Sequence, residues 1–328
     1  MKSEDCASEQ RGLRGLRRLA FSDRRFQPPG QVYDRNAPRL PDAKLRNWVK
    51  LIEARAARLE RRGIQYVHLV IPEKLSVYDN KLREPIVDWK LSPALRLGEM
   101  LQHSQYRNVW LDLVQPFRAA RDQTQLYLKT DSHWNSEGGC FFAYQLLCDH
   151  IQRSPIRTCC RGTMSIFVAI CIWAGRSIRQ SPNPFDSTTL RRTLRWYRNP
   201  IAEYLETVNS EPLLHRGAHV AFRNSAPTAA QKKILIFGDS SASQRPDLLT
   251  GMLAETVAEV EFIWSSNFDW HYIRRMKPDL VVYEMAERFL TKLPRDRLNL
   301  RMRLWLQGNA AKWLITRARK RETAQAGS

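Results

Sequence analysis

Between residues 233 and 283 short β-branched runs alternate with stretches of helical spacing, and this alternation limits the possible fold more than any other feature of the chain. Lys233 to Phe237, Val260 to Trp264 and Leu280 to Tyr283 are too short for helices, and their near-continuous apolar character is what a strand covered on both faces requires. Between them, Pro246 through Val257 and Trp270 to Met276 carry apolar residues at three-four spacing and predict helices. The first half repeats the scheme. Asp42 is placed to cap a helix whose apolar positions Leu45, Trp48, Val49, Ile52, Ala56 and Leu59 share one face, and Gly63 stops it. Strands follow at Tyr66 to Ile71, closed by Pro72, and at Val109 to Leu113, with helices around Leu95 to His103 and from Glu137 to Ile151. Strand and helix in alternation predict a three-layer α/β sandwich around a mainly parallel sheet.

The ends and the middle break the pattern. Residues 1–40 are polar and basic, with Pro28, Pro29, Gly30 and Pro38, and read as a flexible arm ahead of a domain spanning 41–292. Within that domain an irregular segment at about 154–200 has no clean period of two or three-point-six. From 293 to 328, Leu298, Leu300, Leu304, Trp305, Leu306 and Trp313 among many arginines predict a basic amphipathic tail. The apolar run from Met164 to Ala174 is about half of the roughly twenty residues that span a bilayer, so no transmembrane segment is expected. The first thirty residues contain no apolar run of seven or more, so the sequence as written predicts no export and a cytoplasmic location.

Charge points to anionic partners without ranking them. Fifty-three Lys plus Arg against 33 Asp plus Glu give a formal charge of +20, a long-range field attractive to uronic-acid polysaccharide, nucleic acid or an anionic membrane surface. No helix-turn-helix, finger or aromatic-basic strand motif supports specific nucleic-acid recognition. Six cysteines, at 6, 140, 148, 159, 160 and 171, form no C-x-x-C and have no histidine at zinc-ligand spacing, so neither a structural metal nor a cofactor is expected.

Two motifs carry chemistry. Ile234 to Phe237 runs into Gly238, Asp239 and Ser240, which sets a serine at the carboxyl edge of the predicted sheet, where open α/β folds build their sites. If a helix starts there, neighbouring backbone N–H groups face a developing oxyanion; a strand followed by Gly-Asp-Ser is also an ordinary turn. Upstream stands Tyr127 Leu128 Lys129 Thr130 Asp131 Ser132 His133 Trp134 Asn135. A serine hydroxyl needs a base to take its proton, and that base needs an acceptor to fix its tautomer. His133 and Asp131, two residues apart in an extended loop, supply that pair.

With these two motifs, and with Lys277 Pro278 Asp279 Leu280 Val281 Val282 Tyr283 Glu284, Glu287, Arg288, Pro72, Lys74 and Tyr78, the chain resembles the alginate O-acetyltransferase family and its SGNH-hydrolase-like domain. The resemblance covers roughly residues 43–150 and 215–292. It shares the family's order, in which aspartate and histidine precede serine, and carries over a triad of Asp131, His133 and Ser240. It implies an SGNH-hydrolase-like fold and transfer of an acetyl group, through an acyl-serine, to hydroxyls of an acidic exopolysaccharide such as alginate. It implies a periplasmic setting and an acetyl donor, and allows a membrane-bound acetyl-transfer partner. The alternatives are a carbohydrate acetylesterase, which shares the acyl-enzyme, and a catalytically inactive polysaccharide-binding protein on the same scaffold.

Five further residues are candidates for substrate or oxyanion contacts. Arg245 can hold a carboxylate bidentately or be a surface arginine at a helix start. Asn224 can donate to the oxyanion or belong to a loop turn. Lys74 and Tyr78 line the cleft or cap it, and Trp134 either stacks on a sugar or anchors its loop in the core. His215, His219 and His271 lie near no motif and read as ordinary histidines.

Overall fold

The computed structural model describes residues 39–82, 88–129, 132–153, 193–197, 217–227, 229–243, 247–297, 299, 300 and 302. Helix α1 (Asp42–Glu60) buries Leu45, Trp48, Ile52, Ala56 and Leu59, the three-four stripe of the sequence. Pro41 rather than Asp42 occupies the capping position; Asp42 is the acid of the first turn and bonds the Arg96 guanidinium. Gly63 takes the positive φ that turns the chain into β1 (Gln65–Ile71).

After a single turn, α2 (Lys74–Val77), come α3 (Pro93–Leu101), the two-residue strand β2 (Trp110–Leu111) and α4 (Val114–Ala120). The strand predicted over Val109 to Leu113 is this short because Val109 ends a 3-10 turn and Leu113 already occupies the capping position of α4. A π turn (Ser136–Cys140) leads into α5 (Phe141–Arg153). Strand β3 (Thr193–Tyr197) falls inside the segment predicted irregular; the rest of 154–216 lies outside the described residues. Then follow β4 (His219–Asn224), β5 (Ala230–Gly238), α6 (Leu249–Ala254), β6 (Val257–Trp264), α7 (Trp270–Met276) and β7 (Leu280–Ala286). Strand β4 was not foreseen, and α6 stops short of Val257, which opens β6.

The seven strands order as β2-β1-β7-β5-β6-β4-β3. From β2 to β6 the pairs are parallel, and β4 pairs antiparallel with β6 and β3. Strand pleating distributes the central side chains to two covered faces. Ile234, Ile236, Leu280 and Val282 pack under α4, α5 and α6 with Phe117, Leu147 and Met252, while Leu235, Phe237, Val281 and Tyr283 pack under α1, α3 and α7 with Trp48, Leu97 and Ile273. This is the expected three-layer sandwich. The body runs past residue 292: Asp296 bonds the buried Arg55, and Leu300, 3% exposed, donates its N–H to Asp269. Among the described residues no helix is long and apolar enough to cross a membrane.

Candidate active site

Because β1, β7 and β5 are parallel neighbours, their carboxyl ends open on one edge, and three polar segments emerge there side by side: Pro72–Glu73, Glu287–Arg288 and Asp239–Ser240. The Asp239 carboxylate fixes the serine turn, accepting the Ser241 N–H at 2.8 Å and the Ala286 N–H at 2.8 Å. Behind it the buried Glu284 accepts the Asp239 N–H at 3.1 Å. Burial, and then the charge of Asp239, hold the Glu284 carboxyl well above the ordinary glutamate range, which favours its protonated form. Gly238 lets it approach: a Cβ there would lie 2.7 Å from Glu284 Oε2. The helix predicted from Pro246 through Val257 runs from Leu249 to Ala254, and the Asp239 and Ser241 N–H groups are taken by carboxylates, so neither awaits an oxyanion.

The segment bearing His133 is a narrow hairpin. Tyr127 and Trp134 form an antiparallel bridge, the Leu128 N–H donates to His133 O at 3.2 Å, and the Asn135 N–H donates to Leu126 O at 2.8 Å. It is tied down on all sides. The Tyr127 hydroxyl donates to Pro72 O at 2.6 Å, the Leu126 N–H donates to the Tyr78 hydroxyl, and Lys74 Nζ donates to Leu128 O. The Trp134 indole donates to Ser241 O at 3.1 Å, which joins the hairpin directly to the serine turn. The result is that His133 Nε2 and Ser240 Oγ, 107 residues apart in sequence, lie 2.8 Å apart. Both residues are half-buried, open enough for a reactant to enter.

The other candidates divide. Asp131 and Arg245 lie outside the described residues. Trp134, 2% exposed, belongs to the core and anchors its loop; it has no face to offer a sugar. Asn224 is not brought to the serine. Strand β4 runs against β6, so Asn224 lies beyond the Arg223–Glu259 pair at the amino ends of the parallel strands, while Gly238 pairs with Trp264 at the other end. Its amide bonds Ala254 O and the Ala226 N–H. Lys74 and Tyr78 line a cavity of about 460 Å³ with Arg121, Tyr127, Leu128 and Lys129. Arg288, which entered the sequence reading only as part of the resemblance and with no role, reaches the hairpin at Ser132, and His219 pairs with Glu261 at 2.6 Å in the core, away from the serine turn. Among the described residues no cluster of His, Cys, Asp and Glu could hold a metal.

The structure thus brings His133 and Ser240 together at the carboxyl edge of a mostly parallel sheet, while Asp131, the third residue the resemblance implied, lies outside the described residues. The family model described as "SGNH hydrolase-like domain, acetyltransferase AlgX" matches residues 32–162, the part that contains the hairpin. The chain resembles the alginate O-acetyltransferase family in its SGNH-hydrolase-like domain. A relative, the probable alginate O-acetylase AlgJ of Pseudomonas syringae pathovar tomato, is 25% identical over 237 residues, 70% of this chain and 50% of the relative. The chain thus spans about half the length of that relative. Similar solved structures include Bacillus cereus PatB1 (11% identity, 77% of this chain and 92% of that chain, TM-score 0.49). The O-acetyltransferase domain of Pseudomonas putida AlgJ is similar at 17% identity over 77% of this chain and 85% of that chain, with a TM-score of 0.42.

Proposed function

We propose that the protein is a serine-dependent O-acetyltransferase that esterifies hydroxyls of an acidic exopolysaccharide. The observation that carries the reading is the 2.8 Å contact between His133 Nε2 and Ser240 Oγ. At that distance the imidazole takes the hydroxyl proton as Oγ attacks the donor's carbonyl carbon. The tetrahedral adduct collapses, the leaving group receives the proton from the imidazolium, and an acetyl-serine remains. An acceptor hydroxyl then binds in the leaving group's place, loses its proton to His133 and attacks the acetyl carbonyl; the adduct collapses to the new ester as the imidazolium returns the proton to the departing Ser240 Oγ. Asp131, two residues before the base, is assigned the role of orienting it.

The sugar acceptor is supported by the likeness to a probable alginate O-acetylase and by a net charge of +20 that attracts a polyanion; an acetyl donor and a periplasmic setting belong to the same proposal. Water in place of the sugar gives an esterase, so the acceptor decides between transfer and hydrolysis. The test is covalent trapping. A sulfonyl fluoride is expected to modify the parent on Ser240 and to leave Ser240→Ala unmodified, with acetyl-ester turnover falling by about a thousandfold or more in the variant. Equal modification of both proteins removes Ser240 from the mechanism. An acidic polysaccharide that gains acetyl from the parent, measured against acetate released to water, separates transferase from esterase.

A further inference from the structure

The hairpin that carries His133 is also gripped at Ser132 from a third strand end. Arg288 follows β7 in the turn Glu287–Thr291, and its Nε donates to Glu73 Oε1 at 2.5 Å while its Nη1 donates to Ser132 Oγ at 3.1 Å. Ser132 is 8% exposed and immediately precedes His133. The base of this clamp is rigid. Glu73 is 2% exposed, and the adjacent Glu287, 1% exposed, accepts the N–H groups of Glu73 at 2.8 Å and Ala94 at 3.0 Å and the hydroxyls of Ser76 and Ser92. The backbone at 287–288 is therefore fastened to both the β1 turn and the start of α3 before Arg288 reaches outward.

We propose that Arg288 is a positioning residue: by bridging Glu73 and Ser132 it holds the hairpin at the register that keeps the His133 imidazole in contact with Ser240. The inference rests on the acyl-serine reading above. Its physical basis is the guanidinium fork, which presents donors in two fixed directions from one planar group. One direction is taken by a buried carboxylate that cannot move, so the other fixes the loop. An ammonium is a point charge with no such fork, and when bonded to Glu73 it does not reach Ser132 at the same angle. Misplacing a general base by about 1 Å costs as much as a hundredfold in rate.

The experiment compares the parent, Arg288→Lys, Arg288→Ala and Ser132→Ala by the rate of sulfonyl fluoride labelling at Ser240, followed by intact-mass spectrometry, beside urea unfolding of each. Arg288→Lys is expected to keep a folded protein and to label about tenfold or more slowly. Added guanidinium ion at non-denaturing concentration is expected to restore part of the rate of Arg288→Ala, which a loss of packing would not allow. Ser132→Ala should slow labelling by a smaller factor, and should add nothing in the Arg288→Lys background. Labelling of Arg288→Lys at the parent rate overturns the inference and leaves the acyl-serine reading standing, as does a slowing that only tracks the unfolded fraction. A parent that is not labelled on Ser240 overturns that reading and this inference with it.

Discussion

Two polar clusters flank the same sheet, one closed and one open. The closed cluster is Arg55, on α1 and 0% exposed, whose guanidinium sits 4.0 Å from the Phe268 ring centroid and 4.4 Å from that of Tyr283. It bonds Asp296 twice, through Nε at 2.9 Å and Nη2 at 2.6 Å, and donates to Ser266 O at 2.9 Å. Burial disfavours its charge, and the Asp296 bonds outweigh that and raise its basicity. The open cluster is His133 and Ser240, half-buried at the sheet edge, with their ties to the body made by neighbours: Trp134, Ser132 and Asp239. A charge enclosed by rings and a carboxylate locks α1 to the residues after β7 and has no route to a reactant. An imidazole-hydroxyl contact that remains half-open can exchange a proton with something that arrives. The difference lies in access more than in the residue types.

The sharpest way to break this comparison is Asp296→Ala. Removing the carboxylate leaves a buried, uncompensated guanidinium, and the expected loss is about 3–5 kcal/mol of unfolding free energy by urea titration. The folded fraction should label at Ser240 at the parent rate, because the closed cluster takes no part in the chemistry. A loss below about 1 kcal/mol, or slower labelling per folded molecule, would show that the two clusters are not separate devices.

Much of this division was legible in the chain, and the parts that were not share a cause. The helical stripe of α1, the bounds of α7 and the strands from Tyr66, Lys233 and Leu280 follow from local periodicity, which a buried parallel sheet and its covering helices impose on sequence. The Asp-x-His-Trp and Gly-Asp-Ser motifs stood out because they combine residue types that suit proton transfer and attack, and the structure brings His133 and Ser240 of these motifs into contact. Strand direction is not written locally: β4 looks like a short mixed run, and only its antiparallel pairing with β6 carries Asn224 away from the serine. Trp134 has the composition of a sugar platform, and its burial is decided by Ser241, 107 residues later. Arg288 and Glu73 are 215 residues apart, beyond the reach of any periodic signal.

The next test asks whether the floor of the open cluster belongs to the closed kind. Glu284 is 1% exposed, and Asp239 and the thiol of Cys140 face it from the serine turn and the π turn. Its folded-state pKa is raised, so between the ordinary glutamate range and that raised value the native state binds a proton that the unfolded chain has lost. Stability is then full at acid pH and falls as pH rises, by at most about 1.4 kcal/mol per pH unit for one proton. Glu284→Gln, neutral at every pH, is expected to remove this component, so its stability gains on the parent as pH increases. Parallel urea midpoints for the two proteins from pH 5 to 8 would mean that Glu284 is ionised in the folded protein and solvated in a way its burial does not suggest.

Trp134→Phe probes the indole bond that joins the hairpin to the serine turn beside the His133–Ser240 contact. The ring keeps most of the apolar contact in the core, while the Ser241 carbonyl loses its donor at a buried position. The expected stability cost is about 1 kcal/mol, the smallest of these effects. Its value lies in how the loss is distributed. If the open cluster is held in register by neighbours, labelling at Ser240 should slow by more than that stability loss accounts for, because the hairpin and the turn can then shift against each other with the fold intact. If labelling is unchanged, the ties through Tyr127, Lys74 and Arg288 suffice to place His133, and the indole serves the core alone.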